Sequence, residues 1–296
     1  MKKILVSGLV NIETSVSVDS FPIYYSPVEY PFFGVNSCVS GVGFNVTKAL
    51  KTLGSEAELL SEVGDDIYLK VIKEEMEKNN IDTSHLIVFE GKNTAESVVF
   101  VEKSGERKIY CDLKDIQERP PLTTRNIDLK PYSLAVLTNI NFNRKLLKVA
   151  KEKGLVIATD VHVLYNIEDD YNEDFLESAN ILFLSNEGVY DREADFIKAL
   201  YDRYHNDIIV IGCGEQGALM YIGKEAKYIY EPAVAPKGVK STVGAGDALF
   251  SAFIHFYNKG CDPKLCLKYA VRFAGMKISE SGGSNGFVNE EELIGK

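Results

Sequence analysis

The sequence predicts an α/β protein: a central, mostly parallel sheet between layers of helices, with a small second β sheet standing outside it as a lid. Three observations lead there. From Ser133 onward short apolar runs alternate with helical segments, as right-handed βαβ units require. Two strand-like, partly polar excursions, at 13–21 and 94–112, break that alternation early in the chain. Finally, Gly244-Ala245-Gly246-Asp247 opens an apolar-periodic run that reads as a helix with a glycine-eased start.

Taken in order, Ile4–Ser7 is a short buried strand ending at Gly8. Residues 13–21 alternate, with Val16 and Val18 set against Ser15, Ser17 and Asp19, which predicts a half-exposed strand. Residues 22–40 are rich in aromatics, serine and proline and carry no helical period. Asn45–Leu53 is helical and stops at Gly54, a C-terminal cap. Glu58–Ser61 reads as a strand. Asp66–Asn79 reads as a helix with Ile67, Val71, Ile72 and Met76 on one face. Residues 94–112 form a hairpin, Ser97–Val101 and Lys108–Cys111 flanking the turn Lys103-Ser104-Gly105-Glu106. Strands follow at Leu134–Leu137, Val156–Thr159, Ile181–Leu184 and Ile208–Ile211. Helices at Arg144–Lys153, Glu173–Ser178 and Arg192–Tyr204 separate them. Strand-like pieces at Ala218–Ile222 and Lys227–Tyr230 precede two closing helices, 246–257 and 263–278. With no repeat, low-complexity tract or long linker, residues 1–296 read as one body, with lid segments at about 12–38 and 93–113.

Composition excludes several classes. A hydrophobic fraction of 45% gives ample material for a core. A net charge of −10 argues against broad nucleic-acid binding, so any polyanionic ligand must be held by local devices such as helix N-termini and loop amides. The five cysteines show no metal-binding spacing and read as free thiols in a reducing compartment. The start Met-Lys-Lys-Ile-Leu-Val-Ser-Gly has too short an apolar run for a signal peptide, and no stretch approaches membrane-span length. The expectation is a cytoplasmic protein without nucleic-acid or membrane partners.

Two motifs mislead. Gly212-Cys-Gly214-Glu-Gln-Gly217 spells a dinucleotide-binding loop, but Ala218–Ile222 alternates as a strand where that loop needs a helix, so a hairpin turn is predicted. Lys240-Ser241 lacks the glycines of a P-loop. The four histidines are scattered and are assigned no chemistry.

The motif that carries chemistry is Ser241-Thr242-Val243-Gly244-Ala245-Gly246-Asp247. A helix N-terminus offers unpaired N–H groups to an anion, and a carboxylate in its first turn is placed to take a proton from a hydroxyl. Together with Ser40-Gly41-Val42-Gly43-Phe44-Asn45 and Glu62-Val63-Gly64-Asp65-Asp66, in that order and spacing, it resembles the ribokinase-like (PfkB) carbohydrate kinases over nearly the whole chain. The resemblance implies a three-layer ribokinase-like fold and ATP- and Mg²⁺-dependent phosphorylation of a hydroxymethyl group on a sugar, sugar phosphate or nucleoside. It implies Asp247 as general base, the amides of Gly244, Ala245 and Gly246 as an anion hole, and acceptor contacts from Asn11, Glu13, Gly41, Gly43, Asn45 and Asn141. Nucleotide contacts fall to Asn186, Gly214, Gly217 and Thr242, and Mg²⁺ is held through phosphates and water rather than by direct protein ligands.

The chain departs from the family's pattern at Ser40, where the acceptor motif has its first glycine, and in three further places. Glu13 stands for an aspartate, Val189 for a metal-organising glutamate, and Ser241 for an aspartate that helps bind a monovalent cation, which weakens the expectation of potassium activation. Among acceptors a pentose or hexose leads and a nucleoside follows. A catalytically silent binding protein on the same fold is the rival reading. The aromatic run Tyr24, Tyr25, Tyr30, Phe32 and Phe33 is open to three readings: a homodimer surface, a ligand wall or lid core.

Overall fold

The Lys-Ile-Leu-Val-Ser run near the N-terminus is apolar on both faces, so it belongs at the centre of a covered sheet. In the computed structural model, which describes residues 2–103, 105–123 and 126–295, strand β1 (Lys3–Ser7) has Ile4 and Val6 in one core and Leu5 in the other, all fully buried. The chain continues through β2 (Asn11–Val18), β3 (Val35–Ser40), α1 (Val42–Thr52), β4 (Ala57–Gly64), α2 (Tyr68–Lys78), β5 (Leu86–Phe89), β6 (Ala95–Glu102) and β7 (Arg107–Asp112). Next come β8 (Tyr132–Leu137), α3 (Arg144–Glu152), β9 (Val156–Val163), α4 (Glu173–Ser178), β10 (Ile181–Ser185), α5 (Glu193–Tyr204), β11 (Ile208–Gly212), β12 (Gly217–Ile222) and β13 (Lys227–Pro232). Helices α6 (Ala245–Asn258), α7 (Pro263–Lys277) and α8 (Glu290–Ile294) close the chain.

Among the described residues, nine strands form one sheet in the order β13-β12-β11-β10-β9-β8-β1-β4-β5. All neighbours are parallel except the β11–β12 and β12–β13 pairs. Helices α1, α2, α6, α7 and α8 pack on one face and α3, α4 and α5 on the other, which makes the three layers. From β1 the chain proceeds outward to β4 and β5, then returns to place β8 on the other side of β1. The order therefore reverses between β1 and β8, and the crevice beyond the strand C-termini at such a point is where ligands bind in open α/β sheets.

A second sheet, β3-β2-β6-β7, stands apart from the first. Strands β2 and β6 pair in parallel from Asn11↔Ala95 to Val18↔Glu102, and β3 and β7 flank them antiparallel. The expected excursions are thus real. The sequence reading missed β3, whose Val35, Asn36 and Ser37 are exposed and carry little periodic signal. Ser104, in the predicted β6–β7 turn, lies outside the described residues.

One helix face needs correction. Ile72 and Met76 of α2 are fully buried, whereas Ile67 is 82% exposed and Val71 50% exposed. Ile67 precedes the helix, and Val71 is turned one residue, about 100°, away from the Ile72–Met76 stripe. The Gly212–Gly217 segment is a hairpin turn, as the alternation of 218–222 required. β11 and β12 pair antiparallel from Ile208↔Ile222 to Gly212↔Ala218.

Candidate active site

Helix α6 is apolar almost all round, with nine consecutive buried residues from Ala248 to Phe256, and so it is driven into the core. That burial, which begins at Ala248, fixes the helix in place and leaves its first turn, Gly244–Asp247, half-buried to exposed, where a ligand can reach it. Gly244 caps the helix in the left-handed region at φ 79°, and a Cβ there would lie 2.3 Å from the Gly283 carbonyl oxygen. Only glycine satisfies both the dihedral and the contact.

Four backbone N–H groups open this segment. Ala245 N–H donates to Thr242 O at 3.1 Å, so one of the three amides expected in the anion hole is already engaged. Those of Gly244, Gly246 and Asp247 have no acceptor among the described residues. They are the unpaired donors of a helix start and fit a phosphate group.

Asp247 lies in the first turn and is partly buried. Its Oδ2 accepts from Asn45 Nδ2 at 2.7 Å, across 202 residues of sequence. Burial pushes the carboxyl up to about 6. The Asn45 hydrogen bond and the charge of His162 pull it down, and the nearby Asp160 and Glu13 add to the rise. A carboxylate held by one amide and poised near neutrality suits proton abstraction from an alcohol.

Asn45 belongs in turn to a chain of bonds. Ser40 Oγ lies 3.0 Å from Glu13 Oε2, to which it donates, and 3.4 Å from Asn45 Oδ1. Glu13 Oε1 accepts from Gly283 N at 3.2 Å. The structure therefore brings Glu13, Asn45 and Asp247 together from β2, α1 and α6. It adds Ser40, the first residue of the Gly41–Asn45 motif, and Gly283, one of a glycine pair of little specificity, neither of which the sequence reading gave a role. Asn11, buried beside them, donates from Nδ2 to Ser97 Oγ at 3.0 Å, and its Oδ1 has no partner among the described residues.

Gly41 and Gly43 have a steric reason of their own. A Cβ on Gly43 would meet the Gly8 backbone at 2.5 Å, and one on Gly41 the Leu9 carbonyl oxygen at the same distance. They let the start of α1 dock on the turn after β1. The Gly64-Asp65-Asp66 stretch is likewise a brace: Asp66 accepts from Thr94 N at 2.7 Å and Asp65 from Gly91 N at 2.9 Å.

The small sheet reaches over this site. Arg107 Nη1, at the start of β7, donates to Thr242 Oγ1 at 2.9 Å, and Thr242 Oγ1 donates to Gly105 O at 3.2 Å. Glu187 stands 3.9 Å from Arg107 Nη2. Sequence reasoning missed Arg107, which with Lys108 opens an exposed strand and reads as ordinary surface charge.

The remaining positions sort as follows. Asn186 is buried, and its Nδ2 donates to Glu193 Oε1 at 2.9 Å. Val189 is wholly buried, so Glu193, at the start of α5, is the carboxylate that Asn186 holds. Gly217 allows β13 to pass, since a Cβ there would sit 2.1 Å from Glu231 O. Gly214 is in the left-handed region at φ 54° in open space. Asn141 is bonded to Gln117 and Arg144 and is tied by these contacts to its own strand end rather than to the Asp247 cluster. Ser241 accepts from Val243 N and bends the loop.

Comparison with known proteins bears on this arrangement. The model of the pfkB family carbohydrate kinases matches residues 1–290. The nucleoside kinase of Methanocaldococcus jannaschii is 24% identical over 95% of this chain and 92% of its own. The deoxyribokinase of Salmonella typhi is 25% identical over 98% and 97%. Among solved structures, a microbiome-derived acarbose kinase superposes with a TM-score of 0.86 at 21% identity, covering 99% of this chain and 97% of that one.

Proposed function

The chain belongs to the pfkB family of carbohydrate kinases, and from that premise we propose how this sugar or nucleoside kinase works: Asp247 deprotonates a hydroxymethyl group of a small sugar, which attacks the γ-phosphorus of ATP. The observation that carries the reading is the carboxylate of Asp247, fixed by Asn45 at 2.7 Å beside the unpaired amides of its own helix start. The acceptor oxygen gives its proton to Asp247 Oδ as the P–O bond to ADP breaks and the new P–O bond forms. The amides of Gly244 and Gly246 receive the charge on the transferred group.

Asn11, Glu13 and Asn45 would bind acceptor hydroxyls, with Glu13 held in place by Ser40 and Gly283. On the nucleotide side the Asn186–Glu193 pair and the Gly214 turn flank the phosphate path, and Mg²⁺ would neutralise the β- and γ-phosphates. Arg107, bonded to Thr242, supplies a further positive charge at the same loop.

We read residues 1–296 as one kinase domain, with the β3-β2-β6-β7 sheet as a lid that excludes water during transfer. The five free cysteines are in keeping with a cytoplasmic enzyme. Among the described residues no helix is long and apolar enough to cross a membrane. A nucleoside acceptor is the second reading, favoured by the nucleoside kinase that aligns with 95% of the chain.

ADP release from Mg-ATP over a panel of sugars and nucleosides tests both readings, with Asp247→Asn beside the wild type. The variant is expected to lose kcat by about 10³-fold or more while still binding ATP. Equal turnover in the two proteins would sink the assignment of the base.

A further inference from the structure

Lys277, the last residue of α7, is a fully buried lysine that the mechanism above does not use. Lysine is almost never fully buried unless paired, because taking an ammonium out of water costs several kcal/mol. Here no carboxylate among the described residues bonds to it. Its Nζ donates to two backbone carbonyls: that of Val243, and that of Gly282 at 2.8 Å. An ammonium held by backbone carbonyl oxygens is bound as a monovalent metal ion would be.

The two carbonyls are informative because a peptide unit is rigid, planar and trans. Its C=O and N–H point in opposite directions, so fixing one aims the other. The N–H that shares a peptide with Val243 O is that of Gly244, one of the unpaired donors at the start of α6. The N–H that shares a peptide with Gly282 O is that of Gly283, which donates to Glu13 Oε1 at 3.2 Å. A single ammonium thus faces the back of both peptides whose front sides make the site. The groups whose charge reaches it are Asp247 and Glu13, which favour the cation, and Arg107, which opposes it. The loop offers no carboxylate of its own at Ser241, whose hydroxyl accepts from Val243 N.

We propose that Lys277 is a resident cation and a positioning residue: it orients peptides 243–244 and 282–283, aiming the Gly244 N–H at the transferred phosphoryl group and anchoring Glu13, so that the enzyme needs no added potassium. This rests on the anion-hole reading of the α6 start. Burial lowers the lysine to about 8, so the ammonium persists through neutral pH.

The test compares wild type, Lys277→Met and Lys277→Ala in potassium, sodium, ammonium and tetramethylammonium buffers. It reads kcat and, by calorimetry, the affinity for Mg-AMPPNP, which needs no acceptor. Wild type is expected to vary by no more than about twofold among the cations. Lys277→Met, close to lysine in shape but uncharged, is expected to keep its fold and to lose about 100-fold in kcat and at least about tenfold in AMPPNP affinity. Lys277→Ala leaves a space that potassium or ammonium, but not tetramethylammonium, is expected to fill with partial recovery. A merely structural lysine would not produce that size-selective rescue.

Strong potassium stimulation of the wild type would overturn the proposal, as would a folded Lys277→Met with unchanged kcat and AMPPNP affinity. If both variants fail to fold, the wild-type cation series decides. If no acceptor in the panel is turned over, the general-base reading loses its support while the AMPPNP arm still decides on Lys277.

Discussion

At the scale of single residues, two charges of opposite sign, one partly and one fully buried, set the working pH range. Asp247 is raised to about 6 by burial, so below that pH it is protonated and cannot accept the acceptor's proton. Lys277 is lowered to about 8 by burial, so above that pH it loses its charge and its hold on the two peptides weakens. A plot of kcat/KM against pH is therefore expected to be bell-shaped, with limbs near 6 and 8, and Lys277→Met should lose the alkaline limb. A flat profile from pH 5 to 9 would contradict both assignments. The same shift bears on stability. A carboxyl whose folded pKa lies above its unfolded value contributes stability at low pH that is lost as pH rises through about 4 to 6. Asp247→Asn removes that loss, so its unfolding free energy should exceed that of wild type by about 1–3 kcal/mol at pH 7 and by little at pH 4, a difference that denaturant melts at the two pH values would detect. Of these residues only Asp247 was legible in the sequence, because its glycines and its helix announced it. Lys277 was not, because a lysine at the end of an amphipathic helix ordinarily reaches solvent, and its burial depends on a loop that returns from residues 278–286 to cover it.

At the scale of elements, the glycine motifs work by letting backbones meet. Gly43 places α1 against the turn after β1, and a Cβ there would be 2.5 Å from the Gly8 carbonyl oxygen and carbon. Gly43→Ala should therefore cost about 2–4 kcal/mol in a denaturant melt, and it should also impair catalysis, because α1 carries Asn45 to Asp247. A stable Gly43→Ala with altered acceptor KM alone would mean instead that the glycine serves the ligand directly. The α/β alternation after Ser133 was legible because each parallel strand is apolar on both faces and each helix carries one apolar stripe. Strand β3 and helix α8 were not, since β3 is largely exposed and α8 spans five residues with three glutamates at its start. The apolar face of α2 was misread by including Ile67 and Val71, which belong to the exposed side of the same periodic pattern.

At the scale of the whole molecule, the lid raises the question of a partner. Tyr25 is 93% exposed, Phe33 99% and Phe32 84%, which removes the lid-core reading for these rings. Monomeric proteins rarely leave so many large apolar side chains in one patch. We expect this outer surface to pair two copies, so that sedimentation shows a dimer that Tyr25→Asp with Phe33→Asp converts to a monomer; a wild-type monomer at all concentrations would refute it. The sequence by itself determined the fold class, the carboxylate and the helix start beside it, because those follow from local periodicity and from residue types with few alternative uses. Only the tertiary structure decided which groups stand around them. Glu13, Ser40, Asn45, Asp247 and Gly283 converge from five separate segments, and Lys277 and Arg107 reach the same loop from a helix end and a lid strand. Contacts across 202 or 270 residues are set by how sheets and helices pack, and no local pattern in the chain records that.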